Sequence, residues 1–220
     1  MVAYELVVIG SSWGGLNAMR KVLGGLPPRW DVPIIIVQHR HRDSDQLLVS
    51  LLQECTKLRV LEVEDQTEIE PGSIYIAPAD YHVLVDKGIL ALSTDEPVRF
   101  SRPSIDVTFE SAADAYPGTS IGVVMTGAND DGARGLKRIA DRGGRAIVQD
   151  PATADSATMP AAALRAVPNA DVLALDDIGA FLGRLRVQGA LTEREAKRAA
   201  TGPALRDGEG NRKVDHGLAS

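Results

Sequence analysis

Short apolar runs alternate with amphipathic stretches along most of this chain. The alternation is typical of a parallel β-sheet covered by helices, so we expect an α/β fold with a doubly wound, mostly parallel sheet. Strands are predicted over residues 4–9, 34–37, 59–63, 119–125 and 145–148. Helices are predicted over residues 15–23, 45–54, 103–115, 131–141, 160–166 and 177–185.

The middle and the end of the chain follow different patterns. After an apolar run at residues 74–77, the segments 82–85 and 89–92 flank Asp86-Lys87-Gly88, which predicts an antiparallel hairpin attached to the main sheet. From about Arg186 the apolar periodicity is lost and both charge signs mix with glycine. We therefore expect one catalytic domain over residues 1–187 and a polar tail over residues 188–220 that is disordered or loosely attached.

Composition narrows the possible functions. A net charge of −6 argues against a nucleic-acid partner, which would require clustered Lys and Arg. The single cysteine, Cys55, cannot form an internal disulfide and suits a reducing compartment. The amino terminus has no signal-peptide pattern, and the apolar runs are too short to insert into a bilayer. We expect a cytoplasmic protein.

Three polar segments follow predicted strands, where an open parallel sheet places its functional crevice. The first, Gly10-Ser11-Ser12-Trp13-Gly14, has the G-x-S-x-G pattern of a nucleophile elbow. Ser12 is the candidate nucleophile, and the backbone N–H of Trp13, near the start of a helix, is a candidate oxyanion donor. A glycine-rich turn of this kind also binds phosphate or serves as a plain structural turn.

The second and third segments supply a base and an acid. His39 follows the strand predicted next to the first, so it is the candidate general base, and His41 is the rival. Asp130-Asp131-Gly132 lies between a strand and a helix, where a carboxylate orients an imidazole or caps the helix. Spacing alone does not separate Asp130 from Asp131. The order serine, histidine, aspartate differs from that of typical α/β-hydrolases.

Together these segments resemble the catalytic domain of the chemotaxis-receptor protein-glutamate methylesterases. The resemblance covers residues 7–185 and is carried by several motifs in register: V-V-I-G-S-S-W-G-G-L, I-I-V-Q-H, G-S-I-Y-I-A-P-A-D-Y-H-V-L, S-R-P-S-I-D-V-T-F-E-S-A-A, G-V-V-M-T-G-A-N-D-D-G-A-R-G-L and Q-D-P-x-x-A. It implies a three-layer α/β/α sandwich and the triad Ser12, His39 and Asp131. It also implies a backbone oxyanion donor in the loop at Ala128.

The implied reaction is hydrolysis of glutamate γ-methyl esters on signalling receptors, with release of methanol and, in some relatives, deamidation of glutamine. No metal or organic cofactor is implied. The expected partners are a methylated receptor and a separate kinase, receiver protein or methyltransferase. The chain departs from the family at Trp13 and Ala128, where relatives carry a small residue and methionine, and we expect it to act as a stand-alone chain without a receiver domain.

Five arginines occur in or near the predicted crevice segments: Arg40, Arg42, Arg99, Arg102 and Arg134. We hypothesise that Arg102 orients the acidic substrate around the ester. The departures from the family keep open a different class of function, a catalytically weak regulatory module that binds a signalling protein. A nucleotide-binding domain that uses the glycine-rich turn is a third interpretation, and it leaves His39 and Asp131 unexplained.

Overall fold

The computed structural model describes residues 3–40 and 47–185 of the chain. Ten strands are present among them: β1 Leu6–Ser11, β2 Ile34–Gln38, β3 Arg59–Glu62, β4 Thr67–Glu68, β5 Ser73–Ile76, β6 His82–Asp86, β7 Ile89–Ser93, β8 Ser120–Val124, β9 Arg145–Gln149 and β10 Asp171–Leu173. The helices are α1 Gly15–Gly24, α2 Leu47–Gln53, α3 Ile105–Ala115, α4 Ala133–Asp141, α5 Thr158–Ala166 and α6 at residues 175–185, with a 3₁₀ turn at Pro151–Thr153.

Seven strands form the main sheet, in the order β10-β9-β8-β1-β2-β5-β3. Every pair in it is parallel, so the expected mostly parallel sheet is wholly parallel in the described residues. The strand β1 lies at the centre, with β2 on one side and β8 on the other. The strands that directly follow β1 in sequence lie on one side of it, and the last three strands lie on the other. The strand order therefore reverses at β1, and open α/β sheets form their functional crevice at such a switch point.

Helices cover both faces of the main sheet, which confirms the three-layer arrangement. Side chains from β1 alternate between the two cores: Val7 and Ile9 pack with α1, α2 and α6, whereas Leu6 and Val8 pack with α3, α4 and α5. Strands buried on both faces explain the continuous apolar runs in the sequence.

The predicted hairpin is present as β6 and β7, but its predicted attachment to the main sheet is wrong. Together with β4 it forms a separate antiparallel sheet in the order β4-β7-β6. That sheet packs on α3, where the Thr108 hydroxyl donates to the Val83 carbonyl over 2.8 Å and the Val85 N–H donates to the Ser111 hydroxyl over 3.0 Å. The apolar run at residues 74–77 corresponds instead to β5, a parallel strand of the main sheet.

Several element boundaries differ from the predictions. The first strand extends through Ser11, and the helix predicted from residue 131 begins at Ala133. The edge strand β10, three residues long, was not predicted because it is too short to show a period. The predicted helix 45–54 is present as Leu47–Gln53, while residues 45–46 and the tail 188–220 lie outside the described residues. None of the described helices is long and apolar enough to cross a membrane.

A close approach between α6 and the end of α1 yields a stability prediction. A Cβ atom on Gly179 would lie 2.4 Å from the Val22 carbonyl oxygen and 2.9 Å from the Gly25 Cα. These backbone atoms cannot rotate away, so we expect Gly179→Ala to lower the free energy of unfolding by about 1–3 kcal/mol despite its better helix propensity.

Gly24→Ala is the matched control, because a Cβ there meets nothing within 4 Å. It should leave stability unchanged or raise it by up to about 1 kcal/mol. Urea unfolding of both variants provides the comparison, and equal stabilities would contradict the close helix contact.

Candidate active site

Three neighbouring strands bring the predicted site residues to one edge of the main sheet. Ser12 follows β1, His39 follows β2, and Asp131 lies in the loop after β8. The parallel register aligns the ends of these strands, with Ser11 opposite Gln38 and Gly10 opposite Val124. The carboxyl-terminal edge of the sheet therefore carries a hydroxyl, an imidazole and a carboxylate.

Asp131 is the centre of this group. Its carboxylate is fully buried, and its Oδ2 atom lies 2.7 Å from His39 Nε2. Oδ2 also accepts from the Ile105 N–H over 2.7 Å, and Oδ1 accepts from the Ser104 hydroxyl and the Asp106 N–H, each over 3.0 Å. Two of the donors belong to the first turn of α3, where the helix dipole favours negative charge. Burial opposes ionisation of Asp131, but the His39 and backbone hydrogen bonds outweigh it and lower its pKa.

The structure separates the two candidate acids. Asp130 is more than half exposed and forms an ion pair with Arg99, which lowers the pKa of that carboxyl. Asp131 alone of the two contacts His39. Burial thus identifies Asp131 as the carboxylate that contacts His39, a choice that the spacing of the two residues could not indicate.

The hydrogen bond to Asp131 also fixes the proton on the imidazole. An ionised carboxylate only accepts hydrogen bonds, so His39 Nε2 carries the hydrogen and Nδ1 keeps its lone pair. The Asn129 amide nitrogen lies 3.4 Å from Nδ1. His39 therefore presents Nδ1 as a proton acceptor. The rival base His41 lies outside the described residues, and His82 is buried with its Nδ1 accepting from the Ser104 N–H over 3.1 Å.

Ser12 and His39 line a common hollow of about 610 Å³, which we call the Ser12 hollow. Trp13, Leu16 and Ala128 also line it, and Trp13 is 70% exposed at its rim. Within the described part of the chain, neither the Trp13 N–H nor the Ala128 N–H donates a hydrogen bond. Both predicted oxyanion donors thus border the same space as the hydroxyl, with their N–H groups uncommitted.

Two glycines permit the tight turn after β1. Gly14 has φ of +79°, in the left-handed region, and a Cβ on it would lie 2.4 Å from a carboxylate oxygen of Asp155. A Cβ on Gly15 would overlap the Gln38 side-chain oxygen, so a larger residue cannot start α1 here without displacing Gln38. The G-x-S-x-G match includes Gly14, but it does not include Gly15, whose requirement depends on the contact with Gln38.

Gln38 connects the candidate nucleophile to the candidate base, a role that the sequence did not reveal. Its side-chain nitrogen donates to the Ser12 carbonyl over 2.8 Å and to the His39 carbonyl over 2.9 Å. Its side-chain oxygen accepts from the Ser11 hydroxyl over 2.7 Å. A single amide thus fixes the ends of β1 and β2 to each other.

The carboxylates of Asp106 and Asp131 each accept hydrogen bonds from backbone N–H groups at or near the other residue. The Asp106 N–H donates to Asp131, and the buried Asp106 Oδ1 accepts from the Gly132 N–H over 2.9 Å and the Gly135 N–H over 2.7 Å. Asp131 therefore accepts from the first turn of α3, which contains Asp106, and Asp106 accepts from the start of α4, which follows Asp131. Burial raises the pKa of Asp106, and the charge of nearby Asp131 adds to the rise. A capping box would place the acid three residues after the serine, whereas Asp106 follows Ser104 by two, so no local pattern in the sequence indicates this role.

The arginines near the site are largely committed to other residues. The Arg102 guanidinium donates to Asp80 over 2.8 and 3.1 Å and to the carbonyls of Thr94 and Asp95 over 2.8 and 3.0 Å. Arg40 donates to Glu62 and the Ala77 carbonyl, each over 3.1 Å. Arg134 pairs with Glu110, and Arg42 lies outside the described residues. Substrate orientation by Arg102 stays a prediction, and these contacts show that the side chain already anchors a loop.

The described residues contain no group of three or more acidic, histidine or cysteine side chains arranged to hold a metal ion.

Comparison with known proteins places these residues in a family context. A family model described as CheB methylesterase matches residues 7–182. A relative from Leptospira interrogans, named as a protein-glutamate methylesterase/protein-glutamine glutaminase, is 46% identical over 183 residues, which are 83% of this chain and 95% of that protein. The protein-glutamate methylesterase FrzG of Myxococcus xanthus is 41% identical over 180 residues, but these are only 54% of its length. The CheB methylesterase catalytic domain of Thermotoga maritima matches with a TM-score of 0.78 and 32% identity, over 84% of this chain and all of that one.

The mutual support of the two aspartates yields a stability prediction. Asp106→Ala leaves the Gly132 and Gly135 N–H groups buried without their acceptor, at a cost of about 1–3 kcal/mol each. Asp106→Asn keeps an acceptor oxygen and should lose much less. Thermal and urea unfolding at pH 7 measure both.

The pH dependence provides the internal control. The pKa of Asp106 is higher in the folded protein than its ordinary value, so the folded state binds the carboxyl proton more tightly than the unfolded state does. The stability of the wild type therefore falls as pH rises from the ordinary pKa of an aspartate through the raised pKa of Asp106. The stability of Asp106→Asn relative to the wild type should therefore increase from pH 3 to pH 7. A difference that stays constant or decreases would refute this assignment.

Proposed function

This chain belongs to the CheB methylesterase family, and we propose that it hydrolyses glutamate γ-methyl esters on chemotaxis receptors with Ser12, His39 and Asp131 as its triad. The observation that carries the proposal is the 2.7 Å hydrogen bond from His39 to the buried Asp131, in a hollow that His39 shares with Ser12. A histidine oriented by a buried carboxylate beside a serine at a strand end is the arrangement that activates a serine nucleophile.

The first half of the reaction forms an acyl-enzyme. Ser12 Oγ attacks the ester carbonyl carbon while His39 Nδ1 accepts the hydroxyl proton, and Asp131 stabilises the resulting imidazolium through Nε2. The tetrahedral oxyanion accepts hydrogen bonds from the Trp13 and Ala128 N–H groups. The imidazolium then returns its proton to the departing methoxide, and methanol leaves.

The second half reverses the roles. Water gives a proton to His39 and attacks the acyl-enzyme, Ser12 recovers its proton, and the glutamate carboxylate is released. A primary amide follows the same course with ammonia as the leaving group, which accounts for deamidation of receptor glutamines in the same hollow. Neither course requires a metal ion or an organic cofactor.

The chemical completeness of the site favours an enzyme over a regulatory module that lacks turnover. The substitution at Trp13 alters the rim of the hollow, and the alanine at position 128 leaves its backbone donor in place. We propose that the protein acts in the cytoplasm on methylated receptors. Regulation by a separate receiver protein or kinase, and an opposing methyltransferase, belong to the same proposal.

Labelling with a fluorophosphonate probe tests the nucleophile directly. We expect the probe to modify Ser12 in the wild type and to leave Ser12→Ala unlabelled, because an alanine methyl group cannot form the covalent bond. Hydrolysis of a methylated receptor fragment should fall roughly a millionfold in kcat in the same variant, as found when a serine hydrolase loses its nucleophile.

Ser11→Ala is the control, since Ser11 is the neighbouring hydroxyl and is fully buried. It should keep its labelling at Ser12. Labelling at Ser11, or a folded wild type that neither reacts with the probe nor releases methanol, would refute the proposed triad.

A second prediction concerns Gln38. Replacing it by leucine removes the amide that connects the Ser12 and His39 carbonyls, so the hydroxyl and the imidazole should lose their alignment. We expect kcat to fall roughly 100-fold with little change in KM, since misplacing reacting groups by about 1 Å costs that much.

Gln53→Leu is the matched control, because Gln53 makes three similar hydrogen bonds at the other edge of the sheet, to the Thr56 and Leu58 carbonyls and the Val60 N–H. It should reduce stability and leave kcat unchanged. Equal kcat values for the two variants would show that Gln38 does not position the triad.

A further inference from the structure

The segment from Val98 to Ser101, which we call the 98–101 turn, has an unusual backbone. Its ends are joined by two hydrogen bonds, from the Ser101 N–H to the Val98 carbonyl over 2.9 Å and from the Val98 N–H to the Ser101 carbonyl over 3.2 Å. The two residues between them, Arg99 and Phe100, have φ of 51° and 64°. Such a two-residue turn normally uses Asn-Gly, because a Cβ atom is crowded in this region.

Phe100 adds a second cost at the same place. Its side chain is fully exposed, so the largest apolar side chain of the turn contributes no packing to the fold. Left-handed strain and exposed apolar surface both reduce stability, and residues that combine such costs concentrate at functional sites.

The turn is nevertheless firmly anchored. Arg102, the residue directly after the turn, donates to Asp80 and to the carbonyls of Thr94 and Asp95. Arg99 forms an ion pair with Asp130, which precedes the buried Asp131 in the chain. The position of Phe100 is thus tied to the loop that carries the catalytic acid.

Phe100 borders a second hollow of about 430 Å³, which we call the Phe100 hollow, and His39 lines both hollows. The charged groups around it serve the fold: Arg102 holds Asp80 and two carbonyls, and Arg40 donates to Glu62 and the Ala77 carbonyl. The apolar part of the lining is the Phe100 ring with Pro97 and Pro103, next to Ser101 and His39. This chemistry suits an apolar side chain.

We infer that the 98–101 turn recognises the substrate protein, with Phe100 packing on an apolar side chain next to the esterified glutamate. The inference rests on the proposed function. A glutamyl side chain is short, so its own backbone must come to the rim when the ester carbonyl reaches Ser12, and the residues beside it must contact that rim. Because His39 borders both hollows, a polypeptide with its ester in the Ser12 hollow extends over the Phe100 hollow.

The test compares a protein ester with a small one. Phe100→Gly removes the ring and relieves the left-handed strain, so its melting temperature should equal or exceed that of the wild type. Its kcat/KM for a receptor cytoplasmic fragment carrying radiolabelled glutamate methyl esters should fall roughly 10- to 30-fold, mainly through KM, as when an interface aromatic is truncated. Its hydrolysis of p-nitrophenyl acetate should not change.

Two further variants complete the comparison. Phe100→Tyr should retain most of the activity on the receptor fragment, and Val172→Ala, which truncates an exposed side chain on the edge strand β10, should retain all of it. The role of Phe100 would be overturned if Phe100→Gly had the wild-type kcat/KM on the receptor fragment, or if its activity fell equally on both esters. Neither result would contradict the proposed triad. A dimer in the wild type that Phe100→Gly abolishes would assign the turn to self-association and overturn it as well. A wild type inactive on both esters would overturn the proposed function itself.

Discussion

The burial of one charged carboxylate organises the functional edge of this protein. Asp131 has no access to water, so its negative charge depends on four donors supplied by the protein: an imidazole, a hydroxyl and two N–H groups at the start of α3. To supply them, the loop after β8, the first turn of α3 and the end of β2 must meet within hydrogen-bond distance. The orientation of His39 is a consequence of this requirement.

Much of the fold and the main chemistry could be predicted because they depend on local patterns. Buried parallel strands give continuous apolar runs, and the polar residues directly after them indicate the crevice, which made Ser12 and His39 candidates for the site. Several motifs in register also indicated the family, and the comparisons with known proteins confirmed it. The separate small sheet was missed because periodicity detects a hairpin but not the element on which it packs.

The supporting residues of the site depend on contacts between distant parts of the chain, and these leave no periodic signal. Gln38 appears in sequence as the last residue of a strand, and only the register of β1 with β2 brings its amide to the Ser12 carbonyl. The choice between Asp130 and Asp131 depends on burial, which adjacent identical residues do not reveal. Asp106 shows its role only when α3 and α4 lie side by side.

The packing of the small antiparallel sheet on α3 has a consequence for the evolution of this chain. The helix α3, whose first turn stabilises the charge of Asp131, is held along its flank by Thr108 and Ser111, which hydrogen-bond to β6. Residues of β6 therefore contribute indirectly to keeping Asp131 ionised. Drift in this outlying sheet is constrained by chemistry performed elsewhere, so its sequence should diverge more slowly than its surface location alone would allow.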